Sequence, residues 1–126
     1  MAKDPEEWLK QAEYDMDTAR AVFGAGRYIH VVFMCHLSIE KTLKGLYLKK
    51  LKEEPPKIHN LLYLMEKVEM KPPGELEKFL LELNGRSVPT RYPEDPKRMI
   101  RDYNKKRTAD LMEKSVRLPR RIKKQY

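Results

Sequence analysis

From Arg27 to Leu51 the chain runs without a proline, and Tyr28, Val32, Cys35, Ile39, Leu43 and Leu46 recur along it at spacings of three and four. That spacing puts them on one face of a helix. Val31, Phe33, Met34 and Leu37 add apolar groups on the remaining faces of the first half. A helix that is apolar nearly all round must be covered on more than one side. This segment is therefore read as a central helix, and the rest of the chain has to supply what covers it.

Each flanking segment carries helix signals. Asp4 followed by Pro5, Glu6 and Glu7 combines an N-cap acceptor, a proline at the first helical position and negative charge at the positive end of the helix dipole. Leu9, Ala12, Met16, Ala19 and Phe23 then line one face until Gly24-Ala25-Gly26 stops the helix. After Pro55-Pro56, Asn60 can cap a short helix through about Val68. Pro72-Pro73-Gly74 precedes a fourth helix carrying Leu76, Phe79, Leu80 and Leu83, with Asn84-Gly85 as its expected stop. Pro89, Pro93 and Pro96 make residues 85–96 an expected loop, of a length typical of functional connections. A last helix is expected from near Asp95-Pro96 toward Ile122, interrupted before Pro119. No segment alternates apolar and polar residues as a strand does. The expected class is all-α, an antiparallel bundle of four to five helices.

The 126 residues suit one domain spanning 1–126, large enough to fold without metal or disulfide staples. Cys35 is the single cysteine, and no run approaches the roughly 20 apolar residues that cross a bilayer. A cytoplasmic protein with no membrane segment and no cofactor is expected. Charge is unevenly spread: residues 1–85 hold 13 Lys/Arg against 14 Asp/Glu, whereas residues 86–126 hold 14 against 5. The basic helix and tail from about residue 97 thus point to a polyanion or an acidic partner surface.

Several residues invite chemistry. His36 and Glu40 lie one helical turn apart, but a metal site needs three or four converging ligands, and neither His30 nor His59 is evidently placed to join them. No metal is expected. Cys35 lies on the apolar stripe, where a thiol packs as a small hydrophobe. Gly24-Ala25-Gly26 lacks the preceding strand and the further glycines of a phosphate loop. Glu40 and Lys44 form an i,i+4 pair in the favourable order, of the kind that usually decorates a surface.

Taken in order, Trp8-Leu9-x-x-Ala12-x-x-Asp15, Gly26-Arg27-Tyr28, His36-x-x-x-Glu40-Lys41-x-Leu43-Lys44, His59-x-Leu61-x-x-Leu64 and Arg91-Tyr92-Pro93 span residues 8–93. The arrangement resembles the HEPN domain, a family of helical nucleotide-binding or RNA-cleaving modules widespread in prokaryotes. HEPN ribonucleases carry an arginine followed, after four to six intervening residues, by a histidine, and a dimer joins two such pairs. Here His30, His36 and His59 do not follow any arginine at that spacing, and no histidine follows Arg86 or Arg91. RNA cleavage calls for a general base and acid, commonly histidine, so the usual group is absent from its usual place. The catalytic residues are therefore unassigned, and the expectation leans away from an enzyme.

The resemblance also implies a homodimer and a partner, a minimal nucleotidyltransferase, in a toxin–antitoxin-like arrangement. Within that reading Arg86 and Arg91 can grip phosphate through their guanidinium forks and Tyr92 can stack on a base. Glu40, Lys44, Arg120 and Arg121 complete the candidate nucleotide or RNA site. The simpler role for Arg91 is an ion pair with a carboxylate such as Glu40 that locks the loop to the bundle. Two alternatives stand beside the binding module. One is a metal-independent ribonuclease in which Arg86, Arg91 and His36 or Glu40 meet across a dimer, and the other is a purely structural dimerisation module.

Overall fold

The computed structural model describes residues 4–126, leaving aside the side chains of Ser87, Val88, Thr90 and Arg91. Six helices follow in order: α1 Pro5–Gly24, α2 Tyr28–Leu51, α3 Leu61–Lys67, α4 Gly74–Arg91, α5 Pro96–Asp102 and α6 Lys105–Lys123. There is no strand among the described residues. Helix α2 is the axis of the bundle, since α1, α3, α4, α5 and α6 all pack on it. Val31, Val32, Cys35, Ile39, Leu43 and Leu46 are fully buried along it, as its all-round apolarity requires.

The local signals act as read. Asp4 accepts from the Glu7 amide at 2.8 Å and starts α1, and Gly26 takes φ +77° in the turn to α2. Asn60 accepts from the Tyr63 amide at 3.2 Å and starts α3. At the far end of that helix, Lys50 donates to the Val68 carbonyl at 2.8 Å, joining the end of α2 to the end of α3.

Three boundaries differ from expectation, each for a tertiary reason. Asn84-Gly85 does not stop α4, because the Asn84 side chain serves a neighbour: its Oδ1 accepts from the Leu61 amide at 2.8 Å and its Nδ2 donates to Asn60 Oδ1. The helix continues through Pro89 to Arg91. The carbonyl of Gly85, which Pro89 cannot pair, belongs to a solvent-exposed residue. Residues 85–91 are thus helix, and the connection to α5 is short.

The expected last helix is two helices, broken at Tyr103-Asn104, where Asn104 caps α6 by accepting from the Arg107 amide at 2.9 Å. Arg107 holds the corner: it pairs with Glu82 on α4, donates to the Asp102 carbonyl and lies 4.5 Å from the Tyr103 ring centre. Nor does Pro119 interrupt α6. Leu118 and Ile122, on either side of it, are fully buried. Burying two such side chains is worth about 3–6 kcal/mol, which meets or exceeds the roughly 3 kcal/mol that an interior proline costs.

Candidate functional site

The densest polar cluster is built on α2 and sits inside the bundle. Glu40 is its centre, with a side chain only 5% exposed. Its Oε2 lies 3.1 Å from Lys44 Nζ, one turn on, and its Oε1 lies 3.4 Å from His36 Nε2, one turn back. His59, from the segment before α3, brings Nδ1 to 2.9 Å from the same Oε1. The Glu40–Lys44 pair that the sequence suggested as surface decoration is thus a buried one. Lys44 also lies 5.9 Å from the centre of the Trp8 ring on α1.

Hydrogen bonding fixes the two imidazoles. His36 Nε2 is 2.8 Å from the His59 carbonyl, which can only accept, so Nε2 carries the proton. His36 Nδ1 is buried and finds no partner among the described residues. His59 Nδ1 donates to the Glu40 carboxylate, and its ring extends outward with the side chain 66% exposed. Burial alone would raise the Glu40 pKa. The adjacent His36 imidazole, the Lys44 charge and the His59 hydrogen bond outweigh it and bring the pKa down to about 2. The cluster therefore holds an anion bonded by Lys44 and His59, with His36 beside it, and presents one oriented imidazole to solvent.

A second, partly buried pair supports the same region: Lys41 Nζ lies 2.8 Å from Asp15 Oδ2 and ties α2 to α1. Cys35 is part of the core, where burial pushes its thiol up to about 11. That thiol stays protonated and inert at neutral pH. Among the described residues, no group of three or more His, Cys, Asp or Glu is arranged to hold a metal ion.

The remaining candidates lie elsewhere. Arg86 and Tyr92 line one open groove at the α4–α5 corner, together with Arg98 and the carboxylates of Glu94, Asp95 and Asp102. Tyr92 is 74% exposed. The backbone of Arg91 lies in the last turn of α4, and its side chain lies outside the described residues, so the expected pair with Glu40 does too. Arg120 and Arg121 diverge around α6. The first lines a cleft against α1, whereas the second lies with Lys124 beside Lys71 and Glu69. Glu40 and Lys44 are not surface groups at all. His59 is the group that sequence reasoning set aside, because only tertiary folding brings the segment before α3 against α2. The one signal for it was its place in the family-like motif string with His36 and Glu40.

An all-helical bundle around one central helix, with a buried His-Glu-Lys cluster and a basic C-terminal third, defines a class before it defines a protein. The structure is similar to TT1696 from Thermus thermophilus, with a TM-score of 0.82 at 23% identity, over 97% of this chain and 98% of that one. It is also similar to ST0689, an archaeal HEPN homologue, with a TM-score of 0.76 at 26% identity over 98% of each chain. No curated protein matches. The family model for the HEPN domain matches residues 5–124, and the chain belongs to that family. Among the described residues no helix is long and apolar enough to cross a membrane.

Proposed function

We propose that this chain is a nucleotide- or RNA-binding helical module that works as a homodimer beside a nucleotidyltransferase partner, in a toxin–antitoxin-like arrangement. The observation that carries binding is the state of the cations on α5, α6 and the tail. Lys97, Arg101, Lys105, Lys106, Arg120, Arg121 and Lys124 form no ion pair with any described residue. In the middle of α6 the charges are matched, Lys114 with Asp110 and Arg117 with Glu113. Uncompensated positive charge attracts phosphates through counterion release. Tyr92, in the groove with Arg86, supplies a ring for a base. The partner and the dimer are what the resemblance to the family implies, and the exposed side chain of Ile100 gives another chain apolar surface to cover.

The test is a mixed pool of labelled RNAs incubated with the protein in EDTA and read on gels for retardation and cleavage. Retardation that weakens steeply with salt, and weakens again in Lys105→Ala/Lys106→Ala, supports the reading. A protein that retards no RNA at low salt rules nucleic acid out as the ligand.

One observation favours the second reading, a metal-independent ribonuclease with a non-standard site. His36 and Glu40 are too deeply buried to touch RNA, but His59 combines a solvent-facing ring with a carboxylate that fixes its tautomer, the arrangement a general base needs. On that reading His59 takes the 2′-hydroxyl proton. Cleavage by the wild type that disappears in His59→Asn, with binding retained, would establish it, and an inert wild type would end it.

A further inference from the structure

Helices α1 and α6 both pack on α2 but touch each other only sparsely. Between them they leave a cleft of about 320 Å³, away from the Arg86–Tyr92 groove and from the Glu40 cluster. Its floor combines Ala12 and Met16 of α1, Ser38 and Thr42 of α2, and Ser115 and Val116 of α6.

The floor mixes aliphatic groups with three hydroxyl residues whose protons are all committed. Ser38 Oγ donates to the Ala12 carbonyl, Thr42 Oγ1 to the Ser38 carbonyl and Ser115 Oγ to the Leu111 carbonyl, each at 2.8 Å. Every hydroxyl proton is already used, so the floor offers a ligand no donor. Nor does an aromatic ring line the cleft, so a nucleobase has nothing to stack on. Aliphatic groups suit such a floor better than groups that need a hydrogen-bond donor or a ring to stack on.

The rim selects the charge. Lys123 Nζ reaches Glu13 Oε1 at 3.2 Å across the α1–α6 gap, and Arg20 pairs with Asp17 at 2.9 Å along α1. Charge cancels within these two pairs and leaves Arg120, which is exposed and forms no ion pair with any described residue. The lining as a whole carries one net positive charge, set at one side of the aliphatic groups of Ala12, Met16 and Val116.

From the volume, the saturated floor and the single uncompensated guanidinium, we infer that this cleft binds a medium-chain aliphatic carboxylate. The carboxylate sits on Arg120 and the chain lies along Ala12, Met16 and Val116. The space holds roughly ten water-sized groups, which corresponds to a chain of about eight to ten carbons. This site shares Arg120 with the cations of the RNA reading but takes its ligand through its own floor, and its test uses no nucleic acid.

The experiment is a methyl NMR titration of the full chain with octanoate, with octylammonium and acetate as matched probes lacking the negative charge or the chain. Saturable shifts confined to the Met16 and Val116 methyls are expected with octanoate alone. Arg120→Glu should weaken that binding at least about tenfold, which is 1.4 kcal/mol. Lys78→Glu, the same charge change at an exposed position of α4 away from the cleft, should leave it unchanged. Arg120 is exposed, so an unaltered melting temperature is the check on folding, and Arg120→Gln replaces the reversal if that check fails. The inference is overturned by no saturable shift at these methyls, by equal shifts with octylammonium or acetate, or by wild-type affinity in the Arg120 variant.

Discussion

The molecule uses charge in two opposite ways. Around Glu40 the charges are buried, and the carboxylate is bonded by Lys44 and His59, with His36 beside it. On α5, α6 and the tail the cations are exposed and many have no described carboxylate within ion-pair distance. The contrast teaches how to separate scaffold from interface. A buried, saturated charge has its interactions committed to holding elements together, and removing it uncovers its partners. An exposed, unmatched charge contributes little to folding and is free to meet a ligand. His59 joins the two uses, being anchored inside and open outside.

The comparison breaks most decisively at Glu40. Glu40→Ala leaves Lys44 buried without its counter-ion, and should cost about 3–5 kcal/mol in denaturant unfolding. A cost under about 1 kcal/mol would mean that the cluster is not scaffold. Acid probes the same group without mutation. The Glu40 pKa is depressed in the folded state to about 2 from an ordinary value of 4.5. Its stabilisation is therefore complete above about pH 4.5 and is lost as the pH falls toward 2, by roughly 2–3 kcal/mol. Melting temperatures measured across that window should fall, and should fall much less in Glu40→Gln.

Packing at Gly45 sets the next largest effect. A Cβ there would run into the Tyr126 hydroxyl, which donates to the Thr42 carbonyl at 2.6 Å, and would lie 2.9 Å from Trp8 Cβ. Gly45→Ala should cost about 1–3 kcal/mol despite alanine's better helix propensity. Gly45→Ala/Tyr126→Phe should recover only part of that cost, since the Trp8 Cβ and the ring of residue 126 stay close to the added methyl. A smaller effect is expected at the α6 cap, where Asn104→Ala should lose about 1 kcal/mol. Lys105→Ala/Lys106→Ala should shift stability by less than about 0.5 kcal/mol, with all its effect on binding.

Most of the fold was legible because its signals are local. Asp4-Pro5 and Asn60 cap their helices through their own neighbours, and α2 declares its position by being apolar nearly all round. The misread boundaries depend on distant partners. Asn84 fails to stop α4 because it is engaged with Asn60 and Leu61, and α6 passes Pro119 because Leu118 and Ile122 are buried against the bundle. The site divides the same way. Spacing placed His36, Glu40 and Lys44 on neighbouring turns of one helix, but no spacing reveals that His59 crosses to Glu40 or that Glu40 is buried. The divergence of Arg120 and Arg121 follows from the roughly 100° step between adjacent helical residues.

If the two uses of charge are truly separate, the unmatched cations of α5, α6 and the tail form the ligand surface and the Glu40 cluster only supports it. The decisive quantity is the slope of log K against log salt for single-stranded RNA, in wild type and in the quadruple variant Lys105→Ala/Lys106→Ala/Arg121→Ala/Lys124→Ala. Each phosphate no longer neutralised lowers that slope by about 0.7, so the variant should be shallower by up to about 3, with an unchanged melting temperature. A wild-type slope in the quadruple variant would contradict the separation and move the ligand surface to another face.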